Sequence, residues 1–172
     1  MTFKKTATLL GCILSVLCTQ SVMAADSTIN ITATIVASPC TVDTASKNLS
    51  INLGDIQAST LAAANVGSPW VNGTIKLTNC PSTTSQVVAT FTGTADTNAA
   101  FAYKNTGTGS SAASVHVMDA AGSADLKNGA TLTQTVTSGA AAIPFKVRVY
   151  TSKGSVTPGA ISAAISVAFT YK

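Results

Sequence analysis

The sequence predicts an all-β sandwich, and three observations carry the prediction. Short runs alternating apolar and polar residues recur along the chain. Turn chemistry separates them. Helical periodicity is nearly absent. Thr, Ser, Val and Ile dominate the runs, as suits half-buried pleated surfaces. Seven or so short strands at this spacing fit two packed antiparallel sheets.

The elements follow in chain order. Residues 1–24 read as a secretory signal: Lys4 and Lys5 form a positive n-region, Ala7 to Cys18 an apolar h-region, and Val22-Met23-Ala24 a small-residue cleavage site. A lipoprotein signal at Leu9-Leu10-Gly11-Cys12 is the rival, but its h-region falls below the usual length. Residues 25–38 form an arm in which Ile29, Ile31, Ala33 and Ile35 alternate with polar residues. Residues 39–172 form the single expected domain. Leu49, Ile51 and Leu53 alternate up to Gly54-Asp55. Ser59 to Asn65 fits one or two helical turns with Ser59 as N-cap. Trp70, the only tryptophan, opens a strand running through Ile75 and Leu77 to Cys80. It reads as a core or edge plug, with contact to a neighbouring chain as the alternative.

Val87, Ala89, Phe91 and Gly93 give the next run. Val115 and Val117 follow a Gly/Ser-rich stretch, and His116 between them should face away from the core, toward solvent. Asn128-Gly129 is a turn dipeptide. Ile143, Phe145, Val147 and Val149 alternate with polar residues; Pro144, lacking an N–H, puts the start of this strand late or at an edge. Thr157-Pro158-Gly159 then precedes a terminal run. There Ile161, Ala163, Ile165, Val167, Phe169 and Tyr171 form one face, opposite Ala, Ser, Thr and Lys172. Two sticky strands at opposite ends of an exported chain point to polymerisation by strand exchange rather than catalysis.

Removing Lys4 and Lys5 from the ten Lys and Arg leaves eight, scattered, against six Asp and no Glu. Nothing in that distribution resembles a nucleic-acid face. No later stretch reaches the roughly 18 apolar residues of a membrane span. Cys12 and Cys18 leave with the signal. Cys40 and Cys80 remain, an even pair expected to bond in an oxidising compartment. Zinc is the alternative, and two Cys with one His do not fill a tetrahedral site.

Catalytic groups are scarce. Asp96, Asp119 and Asp125 sit in turn-like contexts where Asp caps backbone, and no nucleophile elbow or phosphate cradle is present. No enzymatic role, cofactor or metal is expected.

The chain resembles subunits of chaperone–usher fimbriae, of the type 1 pilin family. The residues that carry the resemblance are the alternating arm, Pro39-Cys40-Thr41-Val42, Leu53-Gly54-Asp55, Leu77-Thr78-Asn79-Cys80-Pro81, Phe91 to Asp96, Ile143-Pro144-Phe145, Gly159 fourteenth from the end, and the penultimate Tyr171. Ser68-Pro69-Trp70 and Tyr103 to Thr108 are most similar to the minor adaptor at the fimbrial tip.

The resemblance implies an incomplete immunoglobulin-like sandwich lacking its last strand. A donor strand from a neighbouring fimbrial subunit or a periplasmic chaperone completes it, an established case of strand addition to a sheet edge. It implies that Ile29, Ile31, Ala33 and Ile35 are the donor face. It further implies that Gly159, Ile161, Ala163, Ile165, Val167, Phe169 and Tyr171, with the C-terminal carboxylate, form the strand read by the chaperone. An outer-membrane usher is the site of exchange, the tip adhesin is a candidate neighbour, and the product is an extracellular fimbrium reached through the periplasm. Family arms often carry Gly where this chain has Ala33. The major rod subunit, and a single-domain lectin with a sugar site around Trp70 or Tyr103, are the alternative readings.

Overall fold

The computed structural model describes residues 32–34, 39–108 and 112–172. The chain divides into two compact units, Met1–Thr34 and Ile35–Lys172. Of the first, only residues 32–34 are described; they are exposed and outside any strand. Ile29, Ile31 and Ile35 of the expected donor face lie outside the described residues.

The second unit holds β1 (Thr41–Val42), α1 (Thr44–Lys47), a 3₁₀ turn (Ala58–Leu61), β2 (Val66–Gly67), β3 (Val71–Thr78), β4 (Gln86–Thr92), β5 (Tyr103–Lys104), β6 (Ser114–Asp119), β7 (Thr131–Thr135), β8 (Ala141–Thr151) and β9 (Ser166–Tyr171). One sheet runs β1-β3-β8-β6-β5, with β2 also on β8; the other runs β7-β4-β9. Their ladders are antiparallel.

Period-two alternation decides which side chains meet between the sheets. On β8, Ile143, Phe145, Val147 and Val149 turn inward at 0–7% exposure. Ile143, Phe145 and Val147 meet Ile75 and Leu77 of β3, Val115 and Val117 of β6, and Val87, Ala89 and Phe91 of β4, while Val149 packs with Leu61 and Ala113. Phe91 and Phe145 join the sheets edge to face, with centroids 6.4 Å apart. Burying each such Val, Ile or Phe stabilises the fold by about 1.5–3 kcal/mol. Cys40 and Cys80 are bonded and also enter this core. Tyr103 is 1% exposed and donates its hydroxyl to the Leu126 carbonyl at 2.7 Å; burial pushes its pKa up to about 12, so it stays a neutral donor.

Several expectations need correction. Pro144 sits inside the central strand β8 rather than at its start. The β6 ladder begins only at Phe145, so at Pro144 β8 has a ladder neighbour on one side alone, which spares the missing N–H. The helical turn begins at Ala58, capped by Gln57 without a side-chain bond, so Ser59 lies inside it. The Asn128–Gly129 turn forms as expected, closed by the Ala130 N–H to the Lys127 carbonyl at 2.9 Å.

Candidate functional site

β9 keeps the alternation of its sequence: Val167, Phe169 and Tyr171 are half-buried and the residues between them exposed. Register places Val167 opposite Phe91, Phe169 opposite Ala89 and Tyr171 opposite Val87. The Lys172 carbonyl extends the pairing by accepting from the N–H groups of Ser85 and Gln86, at 2.7 and 3.1 Å. The Tyr171 hydroxyl donates to the Cys40 carbonyl at 3.4 Å, and burial raises its pKa.

The ladder starts only at Ser166, not at Ala160 as the alternation suggests. β4 ends at Thr92, and the chain beyond it turns toward β5: the Thr94 carbonyl accepts from the Lys104 N–H at 2.8 Å. Among the described residues, 160–165 therefore have no strand beside them to continue the ladder. Ser162 is instead held by Thr106 and Asn105, at 2.8 and 2.9 Å. Ile161, Ala163 and Ile165 stay half-buried against the core all the same.

β9 is the rim of its sheet. Among the described residues, nothing forms a ladder on its second edge. A second segment is in the same condition. Leu49, Ile51 and Leu53 alternate as the sequence suggests, yet residues 48–57 form no strand. Ile51 and Leu53 pack on the core, and Leu49, at 39%, is the one large hydrophobic residue exposed among the described residues. Both segments have strand-like side-chain alternation, and both lack the neighbour a ladder requires.

They border one cavity of about 1320 Å³. Leu49, Ile51 and Leu53 line it, as do Ile161, Ala163, Ile165, Val167 and Phe169. Val117, Phe145, Val147 and Val149 lie beneath, and Gly159 sits at its margin. Among the described residues, Lys47 and Asp55 are the charged ones that line it. The volume exceeds the roughly 300–1,000 Å³ of small-molecule pockets. A trough with an apolar floor and rims of unladdered backbone is shaped for an extended chain with alternating apolar side chains. Gly73 helps form it: in register with Phe145, its missing side chain leaves room for the Phe145 ring and for Ile51.

The outer face of the six-stranded sheet differs from expectation. His116 is 5% exposed rather than solvated. Trp70 and Phe101 cover it, with centroids 5.1 and 4.8 Å away. Its Nδ1 faces the donor-only guanidinium of Arg148 at 3.3–3.4 Å, so Nδ1 accepts. Nε2 therefore carries the proton and donates to Asp125 at 2.7 Å. Burial lowers the His116 pKa. Asp125 thus serves the histidine rather than a turn. Asp96 and Asp119 do cap backbone as expected, accepting from Ala99 at 3.0 Å and from Ala124 at 2.9 Å. Tyr103, one of two suggested anchors of a sugar site, is buried in the core. No group of three His, Cys, Asp or Glu suited to a metal occurs among the described residues.

The model of the family described as fimbrial protein matches residues 29–172. The chain is 40% identical over 157 residues to protein FimG of Escherichia coli strain K12, covering 90% of each chain. It is 38% identical over 152 residues to the S-fimbrial adhesin protein SfaS of E. coli O6:K15:H31, covering 88% of each. The crystal structure of the P pilus rod subunit PapA shares its fold, with TM-score 0.68 at 24% identity over 78% of this chain and all of that one. The sandwich with one strand missing is therefore the fold of pilus subunits.

Proposed function

Since the chain belongs to the family of fimbrial subunits assembled by the chaperone–usher route, we propose that it is a structural adaptor near the tip of a bacterial surface fimbria, joined to its neighbours by donor-strand exchange. One observation carries this reading: two alternating segments, 48–57 outside any ladder and 160–171 with one edge unpaired among the described residues, border the same trough. A strand laid between them bonds to backbone on both sides. Its apolar side chains settle over Phe145, Val147 and Val149, while Gly159, the odd residues after it and Tyr171 form one flank.

A periplasmic chaperone supplies that strand first, and at the outer-membrane usher the arm of the next subunit replaces it. After signal removal at Ala24, residues 25–38 of this chain serve the neighbour in the same way, through Ile29, Ile31, Ala33 and Ile35. Burying three Ile contributes about 1.5–3 kcal/mol each, and each backbone bond about 1 kcal/mol. The total of around 10 kcal/mol must exceed the ordering cost of the arm. The motifs shared with tip adaptors, with 40% identity to FimG, favour an adaptor over a rod subunit. Similarity to SfaS, named an adhesin, supports a second reading in which this subunit also contacts a receptor.

Ile31→Asp places a charge on the donor face and leaves the groove intact. It should abolish incorporation into fibres while the subunit still accumulates with its chaperone. Normal incorporation would overturn the arm assignment. Immunogold labelling along intact fibres separates tip from shaft.

A further inference from the structure

Backbone parity along the C-terminal run separates the edge that faces β4 from the edge that faces the groove. Lys172 and Gln86 exchange both backbone bonds, N–H to carbonyl, at 3.0 and 3.1 Å. In an antiparallel ladder such pairs recur at every second residue, so Thr170, Ala168 and Ser166 also turn their backbone groups toward β4. The odd residues turn theirs to the open edge. Side-chain alternation continues unbroken back to Ile161, well past the point where β4 ends at Thr92. The Ala164 carbonyl keeps the parity: its oxygen lies 3.0 Å from where a Cβ on Gly93, just beyond β4, would stand.

Ser162 is the next even residue, and a turn from the other sheet takes the place of β4 there. Its N–H donates to Asn105 Oδ1 at 2.9 Å. Its carbonyl accepts from the Thr106 N–H at 2.8 Å and from the Thr106 hydroxyl at 3.2 Å. One turn thus bonds both backbone groups of one residue, as a ladder neighbour does. Asn105 Oδ1 also accepts from the Gly107 N–H at 2.9 Å, which closes the turn on itself. β5 anchors the turn to the core through Tyr103, buried and bonded to the Leu126 carbonyl. Gly107 permits the close approach: an added Cβ would overlap the Ala160 carbonyl oxygen, a backbone atom with little freedom to retreat.

We propose that Asn105 and Gly107 are positioning residues for strand uptake. Their turn holds residues 160–165 extended, so that Ile161, Ala163 and Ile165 present backbone groups to a donor strand in line with Val167, Phe169 and Tyr171. Without the turn, the usable rim ends where β4 ends, and a donor pairs only along residues 166–171. This rests on the donor-strand reading above. The test uses the full mature subunit after a peptide of the next subunit's arm has displaced the chaperone, and measures residue-resolved amide exchange by NMR. The odd amides face away from the turn, so their protection reports bonds to the donor and not to the turn itself.

In the wild type the odd amides should be protected along the whole run from Ile161 to Tyr171. Asn105→Ala and Gly107→Ala should each speed exchange at Ile161, Ala163 and Ile165 about tenfold or more, the equivalent of one backbone bond. Val167, Phe169 and Tyr171 should stay unchanged. Asn105→Asp keeps the acceptor oxygen and should retain the protection. Where one Ala variant fails to fold, the other carries the test. Wild-type protection confined to 167–171, or protection at 161–165 unchanged in both Ala variants, would overturn the proposal. So would a loss spread evenly over 161–171, the mark of a general folding defect. Failure of the wild type to take up any arm peptide would overturn the donor-strand reading itself, and this proposal with it.

Discussion

Gly73→Ala tests how the groove and the core are coupled. An added Cβ lies 2.5 and 2.7 Å from Cζ and Cε2 of Phe145, and 3.1 Å from Cδ1 of Ile51. Carbon atoms settle at about 3.5–4.0 Å, so the ring must retreat by roughly 1 Å. Phe91 stands edge-on to that ring. Open space lies in the groove, which Phe145 lines. Overpacking of this kind costs about 1–3 kcal/mol.

In the subunit with an empty groove, tilting of the ring relieves part of the cost. With a strand in the groove that escape is closed, and the cost reappears as weaker strand uptake, about 5- to 150-fold. The assay is displacement of the chaperone from the purified subunit by a peptide of the next subunit's arm, with urea denaturation as a control for folding. The double variant Gly73→Ala/Phe145→Leu removes the ring atoms in conflict and should recover most of the affinity. Wild-type uptake by Gly73→Ala alone would refute the claim that the Phe145 ring forms the groove floor.

Two further predictions concern stability. The folded-state pKa of His116 is depressed below 6.5. The unfolded chain then takes up the proton first, and stability present above about pH 6.5 is lost as pH falls through the lower folded value. His116→Gln should flatten this dependence in urea melts between about pH 7.5 and about pH 5; an unchanged slope would show that other groups cause it. Cys40→Ala/Cys80→Ala opens a link spanning 40 residues. It should cost about 4 kcal/mol in the chain-entropy account, seen as a lower denaturant midpoint, and a loss under about 1 kcal/mol would contradict that account.

Alternation in the sequence marks the inward faces of β3, β4, β6, β8 and β9, while β1, β2, β5 and β7 carry no such mark. Alternation is a local property, so Ile143, Phe145, Val147 and Val149 could be placed inside before any partner was known, and the face of the terminal run was equally legible. Cysteine count and export context were enough to anticipate the Cys40–Cys80 bond. Pairing was not legible, because a ladder needs a neighbour remote in sequence. Leu49, Ile51 and Leu53 alternate as well as any strand here, yet only the fold decides that no strand among the described residues pairs with them. β9 likewise begins at Ser166 because β4 stops at Thr92.

His116 shows the same division. Its position between Val115 and Val117 correctly turned it away from the core. Burial on the far face came from Trp70 and Phe101, brought over it from elsewhere in the chain. The groove and the cover over His116 both arise from contacts between segments distant in sequence, and such contacts exist only once the chain has folded.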